Sequence, residues 1–168
     1  TAWGDFRTSL DTTYTSRYDR AVIVDGLGVV DSDDFAGEFA DVSNGGEGHF
    51  ARWRALGAVS WSKGDWSANY RLRYIHGVDE QEKYSAGLIC GPSGNCPNGP
   101  RELAVPSVTY HNISLTYSFP MNAKFTLGVD NFTDRTAPLI FGGFNGSTDV
   151  RTYDTIGRFY WMRASIQF

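Results

Sequence analysis

Six segments of this sequence alternate, residue by residue, between apolar and polar side chains, and the connections between them alternate between long and short. Successive side chains of a β-strand point to opposite faces, so a period of two gives each strand one apolar and one polar face. The end of the chain shows it most clearly. Counting back from Phe168 in twos gives Ile166, Ala164, Met162 and Tyr160, interleaved with Gln167, Ser165, Arg163, Trp161 and Phe159. Between Asp5 and Asp19, Phe6, Leu10, Tyr14 and Tyr18 fall on one face, while Arg7, Asp11 and Arg17 fall on the other. A helix, with its period of 3.6, would mix these sets.

The other four segments behave alike. Trp53, Ala55, Gly57, Val59 and Trp61 share a face in the stretch from Arg52 to Ser62. Trp66, Ala68, Tyr70, Leu72 and Tyr74 follow after a short turn, making a hairpin. Ile113, Leu115, Tyr117 and Phe119 alternate with polar residues, Pro120 to Asn122 is a second short turn, and Phe125, Leu127 and Val129 alternate with Lys124, Thr126, Gly128 and Asp130. The stretches from Ala21 to His49, from Gly77 to Pro106 and from Thr133 to Arg151 lose the period and are expected to be long surface loops. A soluble sandwich has no reason to alternate long and short connections strictly, whereas a membrane barrel does, with loops on one side and tight turns on the other. Aromatics support the same frame. Trp61, Trp66, Tyr117, Phe119, Phe125 and Phe168 fall near the short-turn end, and Tyr14, Tyr18, Trp53, Tyr74 and Tyr110 near the loop end, as two interfacial girdles would.

Composition permits this. Mean hydropathy is −0.33 and no run approaches the length of a transmembrane helix, but strands that are apolar at every second residue look hydrophilic on average. A net charge of −4 without a basic run argues against nucleic acid as a partner. Cys90 and Cys96 do not have zinc-site spacing, and a small disulfide-closed loop is the better reading. Asp31, Asp33 and Asp34 offer hard oxygen ligands to a cation, although they lack the spacing of a known calcium loop and a solvated acidic loop is the plainer reading. His49, His76 and His111 sit on separate elements and form no catalytic arrangement with a nucleophile, so no enzyme activity and no cofactor is expected.

Asn112-Ile-Ser-Leu-Thr-Tyr-Ser-Phe119, Phe125-Thr-Leu-Gly-Val-Asp-Asn-Phe-Thr-Asp-Arg-Thr-Ala-Pro138, Tyr153-Asp-Thr-Ile-Gly-Arg-Phe-Tyr160 and the terminal Phe168 together resemble the C-terminal end of a TonB-dependent outer-membrane receptor. The hairpin from Trp61 to Tyr74 fits the same pattern, and position 112 is Asn where relatives often have Asp. The resemblance implies an all-β, antiparallel up-and-down transmembrane barrel of about 22 strands, closed by a plug domain. Six strands cannot close around a plug. Residues 1–168, which begin at Thr1 without an initiator Met, are therefore expected to be the C-terminal segment of that barrel, with the plug and the earlier strands absent. The implied function is active uptake of a scarce nutrient across the outer membrane of a Gram-negative bacterium, with siderophore, cobalamin, oligosaccharide and nickel-chelate ligands all open. The implied partners are the TonB–ExbB–ExbD complex through the missing N-terminal region, the plug and remaining strands, outer-membrane lipid, and the barrel-assembly machinery. For the last of these, Tyr160, Met162, Ala164, Ile166 and Phe168 resemble the recognition signal. On such a barrel Arg7, Asp11, Arg17, Arg71, Arg73, Lys124, Asp130 and Arg163 would line the lumen. The alternatives are an outer-membrane barrel enzyme of lipase or protease type, for which no nucleophile and base converge, and a soluble β-sandwich binding module, which would bury its apolar faces against a second sheet.

Overall fold

The computed structural model describes residues 2–24, 28–40, 48–80, 104–140 and 148–167. Within them the chain is all-β, and no helix is present to cross a membrane. Six strands form one sheet: β1 (Asp5–Tyr14), β6 (Trp53–Lys63), β7 (Trp66–Ile75), β10 (Val108–Phe119), β11 (Ala123–Asp130) and β12 (Phe159–Ile166). They lie in the order β1-β6-β7-β10-β11-β12, every pair antiparallel, which is the up-and-down arrangement the alternating segments imply. The sheet is open in these residues. β1 and β12 each have one neighbour, so closure into a barrel requires strands beyond this set.

The short turns follow their residue chemistry. β6 and β7 are joined by Gly64 and Asp65, with Gly64 at φ 57°, a conformation that is costly for a residue with a Cβ. β10 and β11 are joined by Pro120, Met121 and Asn122, with Asn122 in the left-handed region at φ 54°.

The register carries the two-face pattern through all six strands without a slip. Residues directly opposite in an antiparallel pair share a face. Thr8↔Val59, Val59↔Tyr70, Tyr70↔Ile113, Ile113↔Val129 and Val129↔Tyr160 form one continuous row, and Leu115↔Leu127 and Leu127↔Met162 lie in the next. This face holds Phe6, Leu10, Tyr14, Leu72, Ala164 and Ile166 as well, and its one charged residue is Lys63, at the short-turn end. The opposite face is polar and is stitched by direct cross-strand contacts. Ser60 Oγ donates to Asn69 Oδ1 at 2.7 Å, Thr116 and Thr126 share a hydroxyl bond of 2.9 Å, and the Trp161 indole lies across Gly128. Rings gather at the two ends of the apolar face. Tyr14 packs on Trp53 with centroids 4.6 Å apart at the long-connection end, and Trp66 packs on Tyr117 at 4.8 Å at the short-turn end.

Nothing described covers the apolar face. Leu10, Leu127, Tyr160 and Met162 are 71, 53, 67 and 75% exposed. The chain does build a conventional core, but elsewhere. Phe39, Ala51, Val78, Val105, Ile140 and Tyr153 from the long connections pack with Ile75, Val108 and Tyr110, which stand on the polar face at its long-connection end. The long connections thus fold back over one end of that face.

Two of the stretches expected to be long surface loops contain short strands. The stretch from Ala21 to His49 contains β3 (Gly28–Asp34), paired with β2 (Asp19–Val24), and then β4 (Glu38–Ala40) and β5 (Gly48–His49). The stretch from Gly77 to Pro106 contains β8 (Val78–Glu80) and β9 (Ala104–Val105). These assemble as a small sheet, β5-β4-β8-β9, in which β4 and β8 run parallel, an exception to the antiparallel rule. Each strand has only two or three residues, too short for alternation to be seen, and each is held by a partner distant in sequence. The first strand also ends earlier than expected, at Tyr14 rather than Asp19; the Thr15 N–H still donates to the Arg52 carbonyl at 2.8 Å, in register with the Tyr14↔Trp53 pair, but the strand does not run on to Asp19.

Candidate functional site

The polar face carries the charges that alternation places there. Arg7, Asp11, Arg71, Arg73, Lys124, Asp130 and Arg163 all share it. Arg17 does not: β1 stops at Tyr14, and the Arg17 guanidinium instead pairs with Asp19 at 2.5 Å, which raises its pKa through that hydrogen bond. With Arg54 and Asp5 added, the face has six basic and three acidic strand residues in a chain whose total charge is −4. The wall is locally positive against the sign of the whole.

Charge concentrates at the long-connection end. Arg54 is the second residue of β6, and Arg73 lies near the end of β7; Leu56↔Arg73 and Arg54↔Ile75 make the two arginines diagonal neighbours on adjacent strands. A cleft of about 300 Å³ opens there, lined by Asp11, Arg54, Leu56, Arg73, Arg151 and Thr152, among others. The Arg73 guanidinium carbon lies over the Tyr110 ring, 4.8 Å from its centroid, a cation–π contact. Arg54 Nη2 donates to the His49 carbonyl at 2.7 Å. Arg151 arrives from the last long connection. The Asp149 carboxylate accepts its backbone N–H at 3.1 Å and faces Nε at 3.5 Å.

Behind this cleft lies a buried polar cluster. The His49 ring meets Tyr153 edge-on at 5.2 Å. Both ring nitrogens of His49, the Tyr153 hydroxyl and Thr148 Oγ1 are buried without hydrogen-bond partners. Burial pushes the His49 pKa down to about 4, with Arg54 adding to the effect and Asp149 opposing it, so the ring is neutral near pH 7. Burial raises the Tyr153 pKa.

The acidic trio lies along β3. Asp31 and Asp33 lie on β3, opposite Val22 and Arg20. Asp34 Oδ1 accepts the backbone N–H of Tyr18 at 2.8 Å and of Ala36 at 3.0 Å, which lowers its pKa and closes the turn into β4. Among the described residues no three His, Cys, Asp or Glu side chains come together as a metal site. A second cleft, of about 350 Å³, has carboxylates committed to turns: Asp134 Oδ1 accepts from Arg158 N and Asp154 Oδ1 from Ile156 N. Cys90, Cys96 and Phe168 lie outside the described residues.

Arg54 was legible in the sequence, since it alternates with Trp53 and Ala55 as the other wall charges do with their neighbours. Nothing local marks Arg151, His49 or Tyr153; they reach the site only because two distant connections fold onto the same end of the sheet.

No protein-family model and no curated protein matches this chain. Among solved structures, the chain is similar to a mutant of the ferric enterobactin receptor from Pseudomonas aeruginosa, at 15% identity and a TM-score of 0.49, over 82% of this chain and 19% of that one. The chain therefore spans about a fifth of the length of the receptor it matches.

Proposed function

We propose that residues 1–168 are the C-terminal part of the barrel of a TonB-dependent outer-membrane receptor, and that the whole protein actively imports a scarce nutrient. The observation that carries this reading is the apolar face, continuous over six strands and uncovered, in a chain that builds its packed core elsewhere. A soluble sandwich would lay a second sheet over that face, because burying each large side chain is worth about 1.5–3 kcal/mol. Lipid supplies the cover instead, and the aromatic pairs at its two ends suit the two bilayer interfaces. The resemblance of the motifs around Asn112, Asn131 and Tyr153 to the receptor family supports this reading. In this reading the short turns face the periplasm, the folded long connections face the outside, and the positive face lines the lumen beside the plug. Energy comes through TonB, and no bond is made or broken. The gene product containing these residues should require detergent for extraction and migrate faster unheated than boiled on gels. Its uptake activity should vanish in cells lacking TonB. A product that stays soluble without detergent ends the reading.

A further inference from the structure

We infer that the long connections form a cap latched over one end of the polar face by an uncharged His49, and that proton uptake by this ring releases them together and bares that end of the sheet. The latch belongs to the cap and does not depend on the import reading.

His49 stands where two distant connections meet. On β5 it pairs with Phe39 of β4, and its ring meets Tyr153, from the last connection, edge-on at 5.2 Å. Its carbonyl accepts Arg54 Nη2 at 2.7 Å, which ties β5 to β6. The Tyr110 hydroxyl accepts the Asp154 N–H at 3.1 Å, which ties the last connection to β10. Beneath this cap Ile75, Val108 and Tyr110 of the polar face are buried in the shared core.

An apolar ring would fill the same place at less cost. His49 is 4% exposed, and neither ring nitrogen has a hydrogen-bond partner among the described residues, so the imidazole gives up its bonds to water and gains none. What histidine adds to phenylalanine here is a proton that it can accept. The imidazolium would hold two N–H donors in a buried place without an acceptor for either. Its charged neighbours are mixed. Arg54 on β6 and His76, just past β7, oppose the charge, and Asp149 on the last connection favours it. The Asp149 carboxylate is already engaged by the N–H and Nε of Arg151, whose guanidinium lies against Gly48. Glu80 of β8, also buried, stands in the same row across Phe39, and burial keeps the Tyr153 phenol protonated. Burial outweighs Asp149, and the ring of the closed cap stays neutral down to about pH 4, against an ordinary value of 6.5. Below 6.5 the released ring takes a proton that the closed one refuses. Opening therefore becomes about tenfold more frequent per pH unit, and about 300-fold in all, before it levels off near 4.

The test labels thiols in the complete protein. Ala51→Cys and Val105→Cys each place one in the core of the cap, on different connections. A dithiodipyridine reagent, which stays reactive in acid, modifies them, and mass spectrometry of the peptide that carries residue 51 or 105 gives each rate. Dividing by the rate in urea at the same pH removes the chemistry of the reagent. From pH 6.5 to 4 the ratio should rise by about two orders of magnitude at both positions. Thr126→Cys, on the polar face away from the cap, should show no such rise. His49→Phe should abolish the rise, and Arg54→Gln, which removes a charge that keeps the closed ring neutral, should shorten it. Slow labelling near pH 7 shows that each variant is folded, and where His49→Phe fails this, His49→Gln takes its place. A flat ratio in the parent protein, a rise at residue 51 that residue 105 does not share, or an undiminished rise without His49 overturns the latch. An equal rise at residue 126 assigns the opening to acid unfolding of the whole sheet and overturns it as well.

Discussion

His49 is the residue whose environment most departs from water. Its pKa of about 4 lies below the ordinary 6.5, so between those values the unfolded form binds a proton that the folded form refuses. Stability of the surrounding connections is therefore complete above pH 6.5 and falls as pH drops toward 4, by up to about 3 kcal/mol. Protection of the amides around residues 48–54 and 149–153, measured as exchange relative to the intrinsic rate at each pH, should fall as pH drops across that window, and His49→Gln should flatten the dependence. Protection independent of pH in the native protein would remove the account. Gly128 presents the opposite problem, one of space. Any Cβ there meets the Trp161 indole across the strand pair. Gly128→Ala should cost about 1–3 kcal/mol in urea unfolding, and Trp161→Ala in the same molecule should recover much of it. Additive losses would mean that the two residues do not share the space. Asn131 explains a tolerated difference from the receptor pattern. It is fully buried, its amide bonds both N and O of Arg135, and its own N–H goes to Asn112 Oδ1 at 2.9 Å, an acceptor that an aspartate would supply equally well.

Among elements, the long strands test the assignment of faces. If the apolar row faces lipid as proposed, Leu127→Lys should cost about 2–4 kcal/mol, whereas Thr126→Lys, on the polar face, should cost far less. Unfolding of the full protein in lipid or detergent by urea distinguishes them, and equal costs would reverse or abolish the faces. These strands were legible because eight to twelve residues of strict alternation leave no competing period. Their polar-face charges followed from the same count, except Arg17, where the pattern outran the ladder by a few residues. The small sheet β5-β4-β8-β9 was not legible. Its strands are two or three residues long, and what makes them strands is pairing across up to some 40 residues of chain, such as Val78 with Val105 and Phe39 with Glu80. The cleft was half legible for the same reason: Arg54 and Arg73 belong to the pattern, while Arg151 belongs to a tertiary encounter.

For the whole molecule, the proposed reading gives the terminal strand both closure and assembly. Among the described residues β12 offers one unpaired edge, and β1 another, and a barrel would have to supply strands for both. If the aromatic end of the chain is the assembly signal, deleting Phe168 should reduce the amount of assembled receptor in cells while leaving the ligand affinity of the assembled fraction unchanged. Normal assembly kinetics in pulse-labelled cells would reduce Phe168 to one more interfacial ring. The location of the core has a different consequence. Its nine residues tie the connections to one end of the sheet, so that end is shaped by burial of Phe39, Ile140 and Tyr153, much as a water-soluble domain is. In the proposed orientation, where this end faces outward, an antibody or a phage that recognises the living cell meets a folded surface assembled from several distant stretches of chain, and a peptide copied from any one of them carries only a part of what it recognises.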